Sequence, residues 1–301
     1  MGKDYKKKLS GIFTPNVTPF INEEVAYDKI AENIDRYNHS KLKVYMPLGS
    51  NGEFRSLTDE ESIKIIDVYA KYAAPEKTLI AGVMRESSKA TIEFIKKIAD
   101  KGVDFATILA PHYFVKFMTD EALVKYYTTI ADQSPLPIMI YNAPKFAGGL
   151  VFSTNLVSTL AEHPNIVGMK DTSKEDISIY VNAIPEEAEF FVLAGTINKL
   201  FSALKAGGIG GVVSMADYLP DISCQLQEAF ESGDIKEAEK LDVYARELSS
   251  NAAGSFGVAG VKAAMDFLGY YGGDPRIPLL PMTAEQKEEL KIVLKKEGLI
   301  T

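Results

Sequence analysis

The chain has 301 residues, of which 46% are hydrophobic and 25% charged, and its formal net charge is −8. This acidic balance argues against nucleic acid as a partner, because nucleic-acid binding needs a basic face that neutralises phosphates. No stretch approaches the roughly 18 apolar residues that a transmembrane helix needs, and no signal-peptide pattern is present, so we expect no membrane partner and a cytoplasmic protein.

Apolar strand-like runs alternate with segments of helical periodicity along the chain. The predicted strands span residues 11–20, 44–50, 77–84, 105–111, 136–141, 166–170, 189–194 and 211–215. The predicted helices span residues 26–41, 59–73, 88–101, 120–133, 154–162, 175–184, 197–206 and 222–231. Thr58 and Glu61 have the spacing of a capping box at the start of the second of these helices.

This alternation implies a parallel sheet, because parallel strands need crossover connections. Eight strand–helix units in order favour an α/β fold of the (β/α)8 TIM-barrel type over an open doubly wound sheet. We expect the barrel to occupy residues 1–232 and a C-terminal helical extension, packed on the barrel, to occupy residues 233–301. The extension contains predicted helices at 236–249, 258–267 and 284–296, and the basic run 6–8 is expected to be a solvated tail.

Cysteine and histidine usage gives no sign of a disulfide or a metal. Cys224 is the only cysteine, and its apolar-periodic surroundings predict a buried, inert thiol. His39, His112 and His163 lack metal-ligand spacing, so we expect no metal site.

Polar residues fall at the predicted carboxyl ends of the strands, where barrels of this kind assemble their active sites. They are Thr14, Asn16, Thr18, Ser50, Asn51, Glu53, His112, Tyr113, Tyr141, Asn142 and Lys170. We therefore expect a lysine and tyrosines to converge on one mouth of the barrel.

Lys170 closes the apolar run 165–171, where a charge is out of place. Desolvation disfavours the charged form of a buried lysine, and a neutral amine can attack a carbonyl to form a Schiff base. The alternative is a structural lysine that pairs with Asp171 or with another nearby carboxylate.

Three other features admit two interpretations each. The turn 49–53 contains two glycines and could hold a carboxylate through its N–H groups and the Ser50 hydroxyl, or could be a simple strand-to-helix turn. Tyr141 is either a proton shuttle beside the Schiff-base carbon or a buried structural hydroxyl. Tyr113 is ambiguous in the same way.

Structural roles are favoured for three further motifs. We expect Glu53 to anchor its turn and Asp171 to orient the end of the sixth strand. The glycine-rich string 207–211 could bind phosphate, but it lacks a P-loop-type lysine, and close packing at the start of the eighth strand explains it at least as well.

The turn 49–53, the Tyr141-Asn142-x-Pro144 motif and the run 167–171 together carry a family resemblance. In this order they resemble the dihydrodipicolinate synthase and N-acetylneuraminate lyase superfamily of pyruvate-dependent class I aldolases. The similarity covers residues 10 to 300. It implies a homo-oligomer, commonly a tetramer built as a dimer of dimers, and no cofactor beyond the covalent Schiff base.

The resemblance also implies roles for individual residues. Lys170 matches the lysine that captures pyruvate, and Tyr141 matches the tyrosine that relays protons. Ser50 matches a hydroxyl residue that links the relay and helps hold the pyruvate carboxylate, with Asn51 beside it in place of a threonine. Tyr113 matches a relay tyrosine that family members donate across a subunit interface. The backbone carbonyl of Val213 is implied to face the reacting centre.

Departures from the family pattern concern the second substrate. Dihydrodipicolinate synthases carry an arginine where this chain has Phe146, and Lys145 one place earlier does not reproduce the planar fork of arginine. Residues 195–198 offer no carboxylate for a sugar substrate, unlike sialic acid lyases. Thr172 occupies a position at which 4-hydroxy-2-oxoglutarate aldolases carry a substrate-holding serine, and this subgroup is the most similar in its motifs.

The sequence thus predicts a Schiff-base-forming class I aldolase. It would cleave or make a 4-hydroxy-2-keto acid, such as 4-hydroxy-2-oxoglutarate or a 2-keto-3-deoxy acid, from pyruvate and an aldehyde. The alternatives are dihydrodipicolinate synthase, which condenses pyruvate with aspartate semialdehyde, and a pyruvate-binding regulatory protein without turnover.

Overall fold

Eight parallel strands close into a barrel in the computed structural model, which describes residues 4–301. The barrel strands are β1 (Gly11–Thr14), β4 (Val44–Tyr45), β5 (Thr78–Gly82), β6 (Phe105–Leu109), β7 (Ile138–Asn142), β8 (Ile166–Asp171), β9 (Phe191–Ala194) and β10 (Gly210–Val212). Each pairs with its neighbours in sequence order, and β1 pairs with both β10 and β4. A short antiparallel hairpin, β2 (Phe20–Ile21) with β3 (Glu24–Val25), follows β1.

Helices lie between the barrel strands and after them. They are α1 (Tyr5–Leu9), α2 (Tyr27–Asn38), α3 (Asp59–Tyr72), α4 (Ser88–Ile98), α5 (Asp120–Gln133), α6 (Thr154–Ala161), α7 (Ser178–Val181), α8 (Ile197–Ala206), α9 (Pro220–Glu231), α10 (Ile235–Asn251), α11 (Gly257–Phe267) and α12 (Ala284–Lys296). The predicted TIM barrel with C-terminal helices is confirmed. The placement of the boundary at residue 232 stays a prediction.

The apolar core has two layers. The inner layer fills the barrel and consists of Phe13, Val44, Met46, Ile80, Phe105, Met139, Val167, Leu193 and Val212, together with two residues of α1, Tyr5 and Leu9. The outer layer lies between the strands and the surrounding helices. Strands buried on both faces explain why the sequence shows continuous apolar runs rather than alternation.

The N-terminal segment was predicted wrongly as a solvated tail. Residues Tyr5–Leu9 form a helix that Asp4 caps, and Tyr5 packs edge-on against Phe105 with ring centroids 5.7 Å apart. Lys6, Lys7 and Lys8 keep exposed side chains, but their helix covers one end of the barrel interior.

Several predicted elements are shorter than the sequence pattern suggested. The strand at 11–20 ends at Thr14, because Pro15 and Pro19 cannot donate a ladder hydrogen bond. The predicted helix 175–184 is reduced to Ser178–Val181. The Asp176 carboxylate accepts a hydrogen bond from the Ser178 N–H and so stabilises a turn before this short helix. The capping box of Thr58 and Glu61 is confirmed.

None of the helices within residues 4–301 has the length and apolar character that crossing a bilayer requires.

Candidate active site

Lys170 and Tyr141 lie side by side at the carboxyl edge of the barrel. They are register partners on the adjacent strands β8 and β7. Both are buried, with 4% and 2% of their surface exposed, and the Lys170 Nζ lies 4.4 Å from the centroid of the Tyr141 ring. A cation over a ring face is attracted by the negative charge density of that face.

Within residues 4–301, the Lys170 Nζ has no hydrogen-bond or ion-pair partner. The alternative in which Lys170 pairs with Asp171 is therefore wrong. Successive residues of a strand point to opposite faces, so Asp171 turns away from the Lys170 side of the sheet. A buried lysine is expensive unless it is paired, and such a lysine is typical of a functional site.

Asp171 instead fixes the end of β8. Its carboxylate forms an ion pair with Lys199 of α8 and accepts hydrogen bonds from Asn142 Nδ2 at 2.8 Å and the Ser173 N–H at 3.1 Å. Asn142 lies on β7, so this network joins the two strands that carry Tyr141 and Lys170. Asp171 thereby holds the end of the strand, in agreement with the role interpreted from the sequence.

The loop after β4 carries the turn 49–53 and is held against the next strand. Leu48 adopts a left-handed conformation with φ of 61°, which is uncommon for a branched side chain. A Cβ atom on Gly82 of β5 would lie 2.0 Å from the Leu48 carbonyl oxygen, so only glycine permits this approach. The Ser50 Oγ is buried and has no hydrogen-bond partner in the described part of the chain. It therefore leaves a hydroxyl free to bind a ligand.

Glu53 anchors the other end of the same turn. Its Oε1 lies 2.5 Å from the Lys262 Nζ of α11 in a close ion pair rather than a well-aligned hydrogen bond. Its Oε2 accepts the backbone N–H of Arg276 at 2.9 Å. The turn is thus attached to the C-terminal helices.

A cavity of about 330 Å³ opens where these elements meet. Its walls include Ser50, Asn51, Tyr141, Lys145, Phe146, Lys170, Thr172, the residues 195–198, and Ser249 and Val258 from the C-terminal helices. A larger cavity of about 550 Å³ lies near α1, β1 and α9, but none of the predicted site residues borders it. The smaller cavity is the candidate active site.

The structure brings most of the predicted site residues to this cavity; the two exceptions are Val213 and Tyr113. Thr172 donates its hydroxyl to the Asn142 carbonyl at 3.1 Å, and the Phe146 ring is 42% exposed at the rim. Val213 is buried behind the wall, and its carbonyl accepts the Ala216 N–H at 2.9 Å. Tyr113 lies outside the cavity and is 79% exposed.

Asp217 lies behind the cavity wall and supports Asn51 of the lining, and the sequence interpretation missed it. It is fully buried after β10 and accepts hydrogen bonds from Thr14 Oγ1 at 2.7 Å and Asn51 Nδ2 at 2.9 Å. Burial raises the pKa of its carboxyl to about 6, against the lowering effect of these two donors and of the Lys170 charge. A carboxylate that closes the largely apolar run 211–217 is a signal of the kind that revealed Lys170, and it could have identified Asp217.

Comparison with known proteins identifies the family. A model of the dihydrodipicolinate synthetase family matches residues 8–297. The chain belongs to this family. Its enzymes are carbon–carbon lyases that form a Schiff base between a lysine and pyruvate, and they need no metal cofactor. Across the described residues 4–301, no cluster of three or more histidine, cysteine, aspartate or glutamate residues could hold a metal ion.

Relatives within the family carry different activities in their names. The 4-hydroxy-tetrahydrodipicolinate synthase of Ligilactobacillus salivarius is 31% identical over 291 residues, covering 94% of this chain and 97% of the relative. A probable mitochondrial 4-hydroxy-2-oxoglutarate aldolase of Emericella nidulans is 28% identical over 290 residues, covering 94% and 93%. The family assignment is therefore firm, while the substrate differs among family members.

A solved structure supports the same assignment. YagE, a prophage protein of the dihydrodipicolinic acid synthase family from E. coli K12 in complex with pyruvate, superposes with a TM-score of 0.88 at 26% identity. The alignment covers 97% of this chain and 99% of that one. The predicted family resemblance is confirmed.

Proposed function

We propose that this family member is a pyruvate-dependent class I aldolase that cleaves, or makes, a 4-hydroxy-2-keto acid from pyruvate and an aldehyde. The observation that supports it most is Lys170, a buried amine that pairs with no group among residues 4–301 and borders a cavity against the Tyr141 ring. Such an amine is suited to attack on a ketone. The buried Ser50 hydroxyl, which bonds no other described residue, supplies a donor for the substrate carboxylate.

The chemistry follows from these groups. The Lys170 amine attacks the C2 ketone, the ketone oxygen leaves as water, and an iminium ion forms. Tyr141 relays a proton: its phenol oxygen accepts the proton of the C4 hydroxyl as the C3–C4 bond breaks and releases its own phenol proton to solvent water. The aldehyde leaves, and the bonding electron pair moves toward the iminium to give an enamine. Protonation at C3 and hydrolysis by one water then release pyruvate and restore the lysine.

The rim of the cavity bears on the second substrate. Phe146 is an apolar ring at the rim, and Lys145 beside it is a flexible cation whose Nζ lies 6.0 Å from the ring centroid. An apolar ring cannot bind a carboxylate in two-point fashion as an arginine fork does. We therefore favour a 2-keto-3-deoxy acid whose aldehyde half has no carboxylate. 4-Hydroxy-2-oxoglutarate stays a candidate, but its distal carboxylate would have to be met by Lys145.

The second candidate is 4-hydroxy-tetrahydrodipicolinate synthase, which condenses pyruvate with aspartate semialdehyde. Relatives such as the Ligilactobacillus salivarius protein carry this name. Lys145 also places a positive charge on the cavity wall that could meet the semialdehyde carboxylate. Parallel assays with 4-hydroxy-2-oxoglutarate and with pyruvate plus aspartate semialdehyde discriminate between the two activities.

We also propose that the protein is a homo-oligomer, a tetramer built as a dimer of dimers. Tyr113, Phe114 and Phe117 are 79%, 63% and 73% exposed and form an aromatic patch beside the β6 end of the barrel. Large exposed apolar patches mark interaction sites, and aromatic residues are enriched in interfaces. In such an interface Tyr113 would enter the site of a second copy.

The first experiment is intact-mass measurement after incubation with pyruvate and sodium borohydride. We expect one reduced pyruvyl adduct on the wild-type protein and none on Lys170→Ala. Lys170→Arg is a matched control, because arginine keeps the positive charge but is not deprotonated in proteins. An adduct that persists in both variants would refute the role of Lys170. An adduct without turnover of either substrate pair would instead identify a pyruvate-binding protein.

A further inference from the structure

Asp217 is a charged group buried at the catalytic end of the barrel. It ends the short 3-10 turn Ser214–Asp217 after β10, and none of its surface is exposed. Removing a carboxylate from water is costly, so a buried one is either well paired or protonated. Its surroundings decide which of these holds.

The hydrogen-bond network makes both Asp217 oxygens acceptors. The Met46 N–H donates to Asn16 Oδ1 at 3.0 Å, which turns the Asn16 amide nitrogen toward Thr14 Oγ1, 3.5 Å away. The Thr14 hydroxyl proton is then directed to Asp217 Oδ1, and Asn51 donates to Oδ2. Donors on both oxygens favour the ionised carboxylate.

Among the groups that face Asp217, Lys170 supplies the positive charge. Its ammonium lowers the pKa of the Asp217 carboxyl, as does the backbone N–H of Val17. Among the described residues, Asp217 also acts on four tyrosines whose pKa values burial raises, so they stay neutral at physiological pH: Tyr37, Tyr69, Tyr218 and Tyr270. Asn51, which donates to Asp217 Oδ2, lines the same cavity as Lys170, so the buried carboxylate lies behind the cavity wall and its charge acts on Lys170.

We propose that Asp217 is a positioning residue whose buried negative charge keeps the Schiff base on Lys170 in its protonated, iminium form. This inference rests on the proposed aldolase function. A neutral imine is a poor electron acceptor, whereas an iminium ion accepts the electron pair released at C3. Asp217 favours the ammonium form of Lys170 before attack, but the ammonium and the iminium carry the same charge, so Asp217 leaves the overall equilibrium from ammonium and ketone to iminium and water unopposed. It controls the protonation state of the adduct.

The test measures a step that needs the iminium but no aldehyde, namely exchange of the pyruvate methyl protons with D₂O. In this exchange the iminium loses a C3 proton to a base, gives the enamine, and regains a deuteron. Asp217→Asn preserves the size of the side chain but removes its charge. Loss of a neighbouring opposite charge lowers the pKa of an ionised nitrogen, by about 1–3 units for close pairs. We expect exchange at pH 8 to fall about tenfold or more, and its alkaline limb to move about one unit lower.

The acid limb gives a second readout. In the wild type we expect exchange to fall as Asp217 takes up a proton near pH 6, and this limb should be absent in Asp217→Asn. Thr14→Val removes a donor to the carboxylate, so it should move the acid limb to higher pH. This second variant keeps the inference testable if Asp217→Asn does not fold.

The control is Asp242→Asn, which changes a buried aspartate of α10 that pairs with Arg246 outside the cavity. It should leave both limbs unchanged. Two results would overturn the inference and leave Asp217 a structural role. In one, Asp217→Asn lowers exchange equally at every pH and keeps the acid and alkaline limbs of the wild-type profile. In the other, neither Asp217→Asn nor Thr14→Val moves a limb of the profile. Absence of a pyruvate adduct in the wild type would instead overturn the proposed function.

Discussion

Lys262 of α11 and Glu53 of the turn after β4 form an ion pair from which solvent is excluded, with 0% and 1% of their side-chain surfaces exposed. The Lys262 Nζ also donates to the Asp274 carbonyl at 3.2 Å and lies 4.5 Å from the Phe20 ring centroid. Burial lowers the pKa of Lys262, and the charge of Glu53 opposes this effect. The C-terminal helices therefore support the turn that carries Ser50.

Removing one partner of this pair should be strongly destabilising. Glu53→Gln leaves the Lys262 charge buried without a counter-charge, a change that typically costs about 3–5 kcal/mol of unfolding free energy. Urea unfolding followed by circular dichroism measures it. Glu237→Gln, in the exposed pair with Lys240 on α10, is the control and should change stability little. If Glu53→Gln changes the unfolding free energy as little as Glu237→Gln does, the buried pair is dispensable for stability.

Much of the architecture was predictable because its signals are local. Strands buried on both faces give apolar runs, and the capping box at Thr58 marks the start of α3 in four residues. The end of β1 was harder to place, since the apolar pattern continues past Pro15 while the hydrogen-bond ladder does not. Helix α1 was missed because its two buried residues, Tyr5 and Leu9, depend on the barrel interior for their partners.

The candidate site was predictable where a charge interrupts an apolar run, as at Lys170. The same signal occurs at Lys262, within the apolar segment 257–265, and was not used. Ion-pair partners were not predictable, because the choice of Lys199 rather than Lys170 for Asp171 depends on which face of β8 each side chain occupies. The exposure of Tyr113 likewise depends on the loop conformation after β6.

The Tyr141 hydroxyl should matter for proton transfer and little for folding. Tyr141→Phe keeps the ring against Lys170, so we expect the pyruvate adduct to form while turnover falls by about 10²–10⁴-fold, as for loss of a general acid–base group. Steady-state kinetics combined with borohydride trapping separate the two effects. Tyr127→Phe is the control, since its buried hydroxyl bonds the Ile108 carbonyl outside the cavity. Comparable losses in both variants would argue against a proton relay.

The aromatic patch should control assembly. Phe117→Asp places a charge on a surface that we propose to be buried between two copies, and charged residues are depleted at the core of interfaces. We expect sedimentation velocity to show dissociation and the activity per chain to fall. Ile292→Asp alters another exposed apolar residue, on α12, and should leave the assembly intact. A wild-type monomer with full activity would remove the oligomer proposal.

Asp217 should make stability fall as pH rises. Burial raises the pKa of its carboxyl from 3.8 to about 6 in the folded protein, so between these values the folded state holds more protons than the unfolded state. The contribution is fully present below pH 4 and is lost as pH rises through 6. A shift of about two units corresponds to about 3 kcal/mol.

Asp217→Asn removes this titration, so the thermal midpoint of the variant relative to wild type should rise between pH 4 and pH 7. Differential scanning fluorimetry across this range measures it. Asp242→Asn should show a change in the same direction, because burial also raises the pKa of Asp242. If the difference in thermal midpoint between Asp217→Asn and wild type does not change with pH, Asp217 does not titrate between pH 4 and pH 7. Ionisation of its carboxyl then does not lower the stability of the folded protein.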